Sequence, residues 1–271
     1  MTKASKFFKL AKPNGFDFRT GNTINYRENI GKTVTVPSFG KYGKKPEYNL
    51  CTDMVLHASQ KINDCFQGAS IPCSAYIVEG KPVISGPEKC GFTKLTVIEE
   101  IAQEKLNDVF GWNYLEASNP IHPLKLQAPQ ITDAQILLWQ NWASVRASVR
   151  ASVGASVWDS VRASVRASVG ASVGASVRAS VWASVGASVG ASVGASVWDL
   201  VWAYIGSLFP NIKTWKYAPA NIQGYPYQPC VDLWKQGFVP SFDGKTWRLH
   251  TNLDARIAYE ITQEKLRSWK Q

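Results

Sequence analysis

Two sets of residues in this chain carry side chains that could do chemistry, and their spacings have nothing in common. The first is scattered: His57 in "VLHAS", Tyr76, Glu79 and Glu99, the thiols Cys51, Cys65, Cys73 and Cys90, and Cys230 far behind them. A histidine beside a serine is a candidate for proton transfer, and cysteines near a histidine are candidate metal ligands. The second set is regular. From Trp142 to Gly206 every fourth residue is Trp, Arg or Gly, as in "ASVRASVRASVGASVWDSVRASVRASVG" and its continuation. Neither acid–base nor metal chemistry suits that trio. Its larger members serve recognition, because Trp and Arg both stack on aromatic faces and are enriched where interfaces concentrate binding energy.

The first set weakens when its spacing is weighed. The five cysteines are an odd number, and no two have the C-x-x-C spacing of a zinc or redox site. Cys51, His57, Cys65, Cys73 and Cys90 match no usual ligand pattern, so buried thiols in a reducing compartment are expected, with no metal and no cofactor. Neither a phosphate loop nor a G-x-S-x-G elbow is present. A strand-borne His followed by Ser resembles the nicotinamide-pocket histidine of ADP-ribosyltransferase-like folds. That resemblance implies Tyr76 and Glu79 or Glu99 as partners of His57. The plainer reading is a hydrogen-bonded structural histidine, and the chain is expected not to be an enzyme.

Charge and hydropathy narrow the setting. The net charge of +10 is dispersed: residues 142–209 hold five Arg against two Asp, and Lys41, Lys44 and Lys45 form the densest basic run. A generally basic surface explains this without a nucleic-acid partner. The start, "MTKASKFFKLAKPNGFDF", lacks the apolar core of a signal peptide. The longest uncharged stretch, 179–198, spaces Gly186, Gly190 and Gly194 as membrane helices do, yet a Ser in every unit argues against insertion. The expected location is the cytoplasm, with no membrane contact.

The regular set implies both an origin and a scaffold. Trp, Arg and Gly share the NGG codon form and differ in its first base, and Asp159, Asp199, Leu200, Tyr204 and Ile205 are each one base from the residue they replace. A tandemly copied DNA unit explains all of these. In a strand, the first and third positions would share a face; in a helix, the variable fourth and first positions lie on one side and the invariant Ser-Val pair on the other. Helix therefore separates the two classes better. Against it, Ser, Val and Gly each cost several tenths to about 1 kcal/mol relative to Ala, and a period of four rotates the valine stripe by about 40° per unit. Short packed helices are the first expectation and a small β-solenoid the second, with Val inside and the fourth position outermost in both.

The flanks must frame that array. Residues 1–115 read as an α+β domain. It has strands in "KTVTVPSF" and "SAYIVEGKPVIS" and a helix in "LTVIEEIAQEKLNDVFGW", where Val97 or Ile98, Ile101, Leu106 and Val109 recur until Gly111. Residues 116–131 hold prolines and read as an extended linker. Residues 132–209 comprise a helix capped by Thr132 or Asp133 and then the array. Residues 210–271 read as a small domain with a core of Tyr225, Tyr227, Trp234, Phe242 and Trp247, a hairpin at Asp243-Gly244 and a terminal helix in "EITQEKL", which echoes "EIAQEKL" at 100–106.

The segments "LCTDMVLHAS", "NDCFQGASIPCSAYIVEGKPVI" and "VPSFDGKTWRLH" resemble those of uncharacterised bacteriophage and mobile-element proteins, in which similar flanks enclose arrays of Trp/Arg tetrapeptides. The resemblance implies a phage-type origin and a helical array, and attaches no activity. This chain departs from those relatives by carrying Ser-Val where they carry Ala. The functional expectation is a non-enzymatic interaction protein. Its binding residues would be Trp142, Arg146, Arg150, Trp158, Arg162, Arg166, Arg178, Trp182, Trp198 and Trp202, and a protein is preferred to a nucleic acid as partner. A single-stranded nucleic-acid binder and an ADP-ribosyltransferase-like enzyme using His57 are the alternatives.

Overall fold

The computed structural model describes residues 5–36, 48–50, 52–189 and 194–269. The chain is mixed α+β and divides into two compact units, Met1–Gly111 and Trp112–Gln271. The array, the segment before it and the segment after it thus belong to one unit, which differs from the expected linker and separate carboxy-terminal domain. The reason lies in hydrogen bonding and aromatic packing that tie 113–131 and 210–262 to the array, detailed below.

The first unit holds two antiparallel sheets. Strands β1 (Lys6–Ala11), β2 (Thr33–Thr35), β4 (Ser74–Glu79) and β7 (Lys94–Glu100) form one in the order β1-β4-β7-β2. The other has the order β3-β6-β5, from Leu56–Ala58, Cys90–Phe92 and Ile84–Ser85. A bridge between Phe8 and Ser59 links them, with backbone bonds of 2.7 and 3.0 Å. Phe7, Tyr26, Tyr76, Val78, Phe92, Leu95 and Val97 fill the core. Residues 94–100, expected to begin a helix, are strand. Thr96, Val97 and Ile98 are consecutive β-branched residues, and Leu95 and Val97 point inward while their neighbours do not, so the period is two. Helix α1 is confined to Leu106–Phe110, and Gly111 ends it at φ 75. Strand β2 covers only part of "KTVTVPSF"; the last three residues of that segment, with Lys41, Lys44, Lys45 and Cys51, lie outside the described residues.

In the second unit, α2 (Tyr114–Ser118) leads into a strap pinned at Ile121, whose N–H donates to Tyr204 Oη at 2.9 Å and whose carbonyl accepts from Trp234 Nε1 at 2.9 Å. Thr132 then caps α3 (Asp133–Ser148), and Gln135 Oε1 accepts from its N–H at 3.0 Å. Helix α8 (Gln228–Lys235) precedes the meander β8 (Val239–Phe242), β9 (Thr246–Thr251) and β10 (Arg256–Thr262). The β8–β9 turn is at Asp243-Gly244, with Gly244 at φ 101. Helix α9 (Gln263–Ser268) follows. The echoed "QEKL" thus marks the same junction twice, a strand passing into a helical turn after Glu100 and after Thr262.

The array runs through the end of α3, then α4 (Val153–Ser164), α5 (Ala167–Val177), a π-helical turn (Arg178–Trp182), α6 (Ala183–Val189) and α7 (Gly194–Ser207). Its first two breaks fall at Arg150 and Arg166, each the second of two arginines spaced i, i+4, where like charges on one helix face repel. After the first break Ser152 caps α4, its hydroxyl accepting from Ala155 N–H at 3.0 Å. Valine is the inward position: Val153, Val157, Val161, Val169, Val173, Val177, Val181, Val185, Val197 and Val201 are all buried. Five of them, from Val169 to Val185, lie on a continuous helix, where a straight α-helix would rotate the stripe by about 160° over four units. The wider π turn holds more residues per turn and rewinds the stripe toward the core.

Val173→Ala should therefore cost about 1.5–2 kcal/mol, two buried methyl groups offset slightly by helix propensity. The exposed neighbour Ala171→Ser should change stability by less than about 0.5 kcal/mol. Urea midpoints of the two variants make the comparison, and equal losses would contradict the inward valine stripe.

Candidate functional site

The fourth-position residues do not share one environment. Trp142, expected on the surface, is fully buried with its ring edge-on to Tyr227 at 6.5 Å. It belongs to the α3 stripe of Ile136, Trp139, Trp142 and Ala143, which faces inward; Trp139 meets Trp247 and Tyr259 edge-on at 6.4 and 6.3 Å. Arg146 is half-buried and pairs with Asp199 through Nε at 2.9 Å. Arg150, Arg162 and Arg178 are exposed, and Arg166 is half-buried. Arg178 Nε donates to the Gly174 carbonyl of its own helix at 3.1 Å.

Four tryptophans from three elements meet in a chain. Trp158 of α4 contacts Trp202 of α7, Trp202 contacts Trp198, and Trp198 contacts Trp182 of the π turn, with centroid separations of 6.1, 5.8 and 5.7 Å and interplanar angles of 77°, 75° and 81°. Each such edge-to-face pair contributes about 0.5–1.5 kcal/mol beyond area burial. The first three rings are half-buried, and Trp182 is 38% exposed. The chain therefore runs from half-buried rings between α4 and α7 to an exposed ring on the π turn.

Several fourth-position glycines are the seats of these aromatics. A Cβ at Gly154 would come within 2.9 Å of Trp202 Cδ1. One at Gly170 would lie 3.2 Å from Val161 Cγ1 and 3.4 Å from Trp158, and one at Gly206 would run into the hydroxyl of Tyr225, which donates to the Ala203 carbonyl at 2.5 Å. Gly186 alone among these four has nothing within 4 Å. The expectation that the fourth position lies outermost is thus corrected: at positions 154, 170 and 206 the absence of a side chain is what lets a ring close over the helix.

The first and second positions also have partners that periodicity did not reveal. Asp159 accepts from Tyr217 Oη at 3.0 Å and lies 3.8 Å from Lys216 Nζ, while Asp199 holds Arg146. Burial pushes the Asp199 carboxyl above its ordinary value, and Arg146 opposes that shift. Both aspartates follow a tryptophan, so the twice-written "WD" was the available signal. Ser156 donates to the Lys216 carbonyl and accepts from Tyr227 Oη at 2.7 Å; Ser160 accepts from Lys216 N–H at 2.9 Å; Ser176 donates to the Ala117 carbonyl at 2.8 Å. Serines 144, 148, 164, 180, 184 and 188 are exposed while Ser156, Ser160 and Ser196 are buried, so the second position is shielded in some units and open in others.

The scattered set is not gathered into one site. His57 lies on β3 and borders a cavity of the first unit, together with Lys9, Asp17, Arg19, Ser59 and Lys89. Tyr76, Glu79 and Glu99 do not border it. Tyr76 is fully buried on β4 opposite Glu100, Glu79 faces Thr96 and Glu99 faces Ile77. Burial drives the His57 midpoint down to about 4, with Lys9, Lys89 and Arg19 acting in the same direction and Asp17 against it. Burial lifts the Cys65 thiol to about 11 and Cys230 well above its ordinary value, which removes both as nucleophiles at neutral pH. Among the described residues no three His, Cys, Asp or Glu side chains could together hold a metal ion. Ser241 Oγ and His250 Nε2 are 2.8 Å apart, and His250 Nδ1 is 2.9 Å from the Ala255 carbonyl. Ser241 is fully buried, so this pair ties β8 to β9 and offers no nucleophile to solvent. Among the described residues no helix is long and apolar enough to cross a membrane.

Comparison of the chain with family models, with curated proteins and with solved structures returned no match.

Gly186→Ala should stabilise the protein by about 0.5–1 kcal/mol through helix propensity alone. Gly206→Ala should destabilise it, because its methyl displaces Tyr225. Gly154→Ala combined with Trp202→Ala should lose less than the sum of the single changes in a thermal double-mutant cycle. Separately, His57 binds its proton later in the folded chain than in the unfolded one. Its contribution is complete above about 6.5 and lost as pH falls toward about 4, so unfolding free energy should drop across that window and drop less in His57→Gln.

Proposed function

We propose that the protein is a non-enzymatic interaction protein whose array presents a binding face to another protein. The observation that carries the reading is the chain of four edge-to-face tryptophans that ends at the exposed Trp182. Arg178 stands four residues before Trp182 on the same helical run, and it is exposed as well. A rigid, partly open aromatic surface with a guanidinium group nearby in sequence has the composition of an interface hot spot. The finer architecture proposed with it is a packed-helix repeat array framed by two small flanking segments, in a cytoplasmic protein of phage or mobile-element type.

A protein partner is favoured over single-stranded nucleic acid for two reasons. The tryptophans engage one another edge to face, so they do not stand as separate platforms on which successive bases would stack. Arg146 is also already neutralised by Asp199. The ADP-ribosyltransferase-like reading has less support, because the residues it needs besides His57 do not border the His57 cavity.

A photo-reactive phenylalanine analogue at position 182 should give a discrete protein adduct in host cells, and the same analogue at Ala187, an exposed first-position residue, should not. Equal adducts at both positions, or none at 182, would overturn the reading. An adduct abolished by nuclease and by raised salt would transfer it to nucleic acid.

A further inference from the structure

The first unit contains a cavity of about 150 Å³ that the array's proposed role leaves without a purpose. Its wall is drawn from β1, the turn after it, β3 and the 3-10 segment Ile62–Gln67. Three cations border it from separate parts of the chain: Lys9, Arg19 and Lys89. The bordering anions are Asp17 and Asp64, so the lining carries one net positive charge.

Lys9 is the decisive residue. Its side chain is buried, an expensive location for an ammonium group. Asp17 meets it at 2.5 Å, and the Tyr26 ring lies 5.2 Å from its nitrogen. An ammonium group has three N–H donors, more than the single Asp17 oxygen that meets it can accept, and Lys9 borders the cavity. Asp17 is itself saturated on the other oxygen, which accepts from the Arg19 and Thr20 N–H groups at 2.8 and 3.0 Å. The turn that fixes Asp17 therefore also brings Arg19 to the cavity, where it is exposed at the rim, while Lys89 is half-buried. Ser59 adds a hydroxyl and His57 an imidazole to the same wall.

We infer that this cavity is a binding site for a small oxyanion, a phosphate or carboxylate group, seated on Lys9 between Arg19 and Lys89 with His57 and Ser59 on its wall. The inference is independent of the array. An anion there offsets the repulsion that Lys9, Lys89 and Arg19 exert on a protonated His57, leaving Asp17 and Asp64 as the opposing charges. His57 thus becomes an internal reporter.

The test follows imidazole ring signals of the full chain by NMR across pH in chloride, inorganic phosphate or acetate at one ionic strength. The His57 midpoint should rise by about 1 unit or more with the cognate anion, with His122 and His250 unmoved. A response to phosphate alone assigns a phosphorylated ligand, and a response to acetate alone a carboxylate. Thermal melting should rise with the same anion and not with the other. Both effects should vanish in Arg19→Gln combined with Lys89→Gln, which leaves the buried Lys9–Asp17 pair intact. A His57 midpoint indifferent to both anions, or one that responds identically in the double variant, would overturn the inference.

Discussion

The array depends on the disagreement between a repeat of four and a helix of about 3.6 residues per turn. Because each unit is identical in its Ser-Val half, the chain cannot adjust the position of its apolar residue to follow the helix. Only the backbone can adjust. It does so by stopping, at 149–152 and 165–166, and by widening, at Arg178–Trp182. Both responses serve one end, which is to return valine to the interior before its drift exposes it. Burial of these small side chains has to outweigh the poor helix propensity of Ser, Val and Gly, and only the stacking of several segments supplies enough of it.

The same constraint explains why the fourth position divides into two classes. Where helices cross closely, at Gly154, Gly170 and Gly206, the lack of a side chain admits a ring from another segment. Where the chain turns or faces water, at Arg150, Arg162 and Arg178, a long cation is accommodated with its side chain exposed. Trp158, Trp198 and Trp202 bridge the classes, half in and half out. A first-base change at one of the packed slots therefore alters two helices at once, and its cost depends on which residue faces it. Variation in such an array is correlated by packing even though its genetic source acts on single codons.

Much of this was legible in the residues, and the failures have physical causes. The α+β character, the Asp243-Gly244 turn, the Thr132 cap and the inward valines follow from local chemistry. Residues 94–100 misled because an apolar pattern consistent with helix lay on three β-branched residues whose partners, β2 and β4, are distant in sequence. Trp142 keeps the array's phase of four, while its burial is set by the i, i+3 stripe of α3 that begins before the repeat. The glycine seats could not be seen at all, since facing positions in separate helices have no fixed spacing in a sequence whose units are alike.

Identical units raise a specificity problem of their own, because a stack of interchangeable helices can shift by one unit with every valine still buried. The departures from the repeat remove that freedom. Asp159 accepts from Tyr217, Asp199 fixes Arg146, and Tyr204 accepts from the Ile121 N–H and stacks on Trp234 at 5.4 Å. A slip of four residues would set an alanine where each aspartate is needed and a leucine where Tyr204 is needed. The straps 113–131 and 210–227 contact the array at such irregular positions and at serines that have lost their exposure, Ser156, Ser160 and Ser176. Cohesion thus comes from what the units share, and register from the few residues in which they differ.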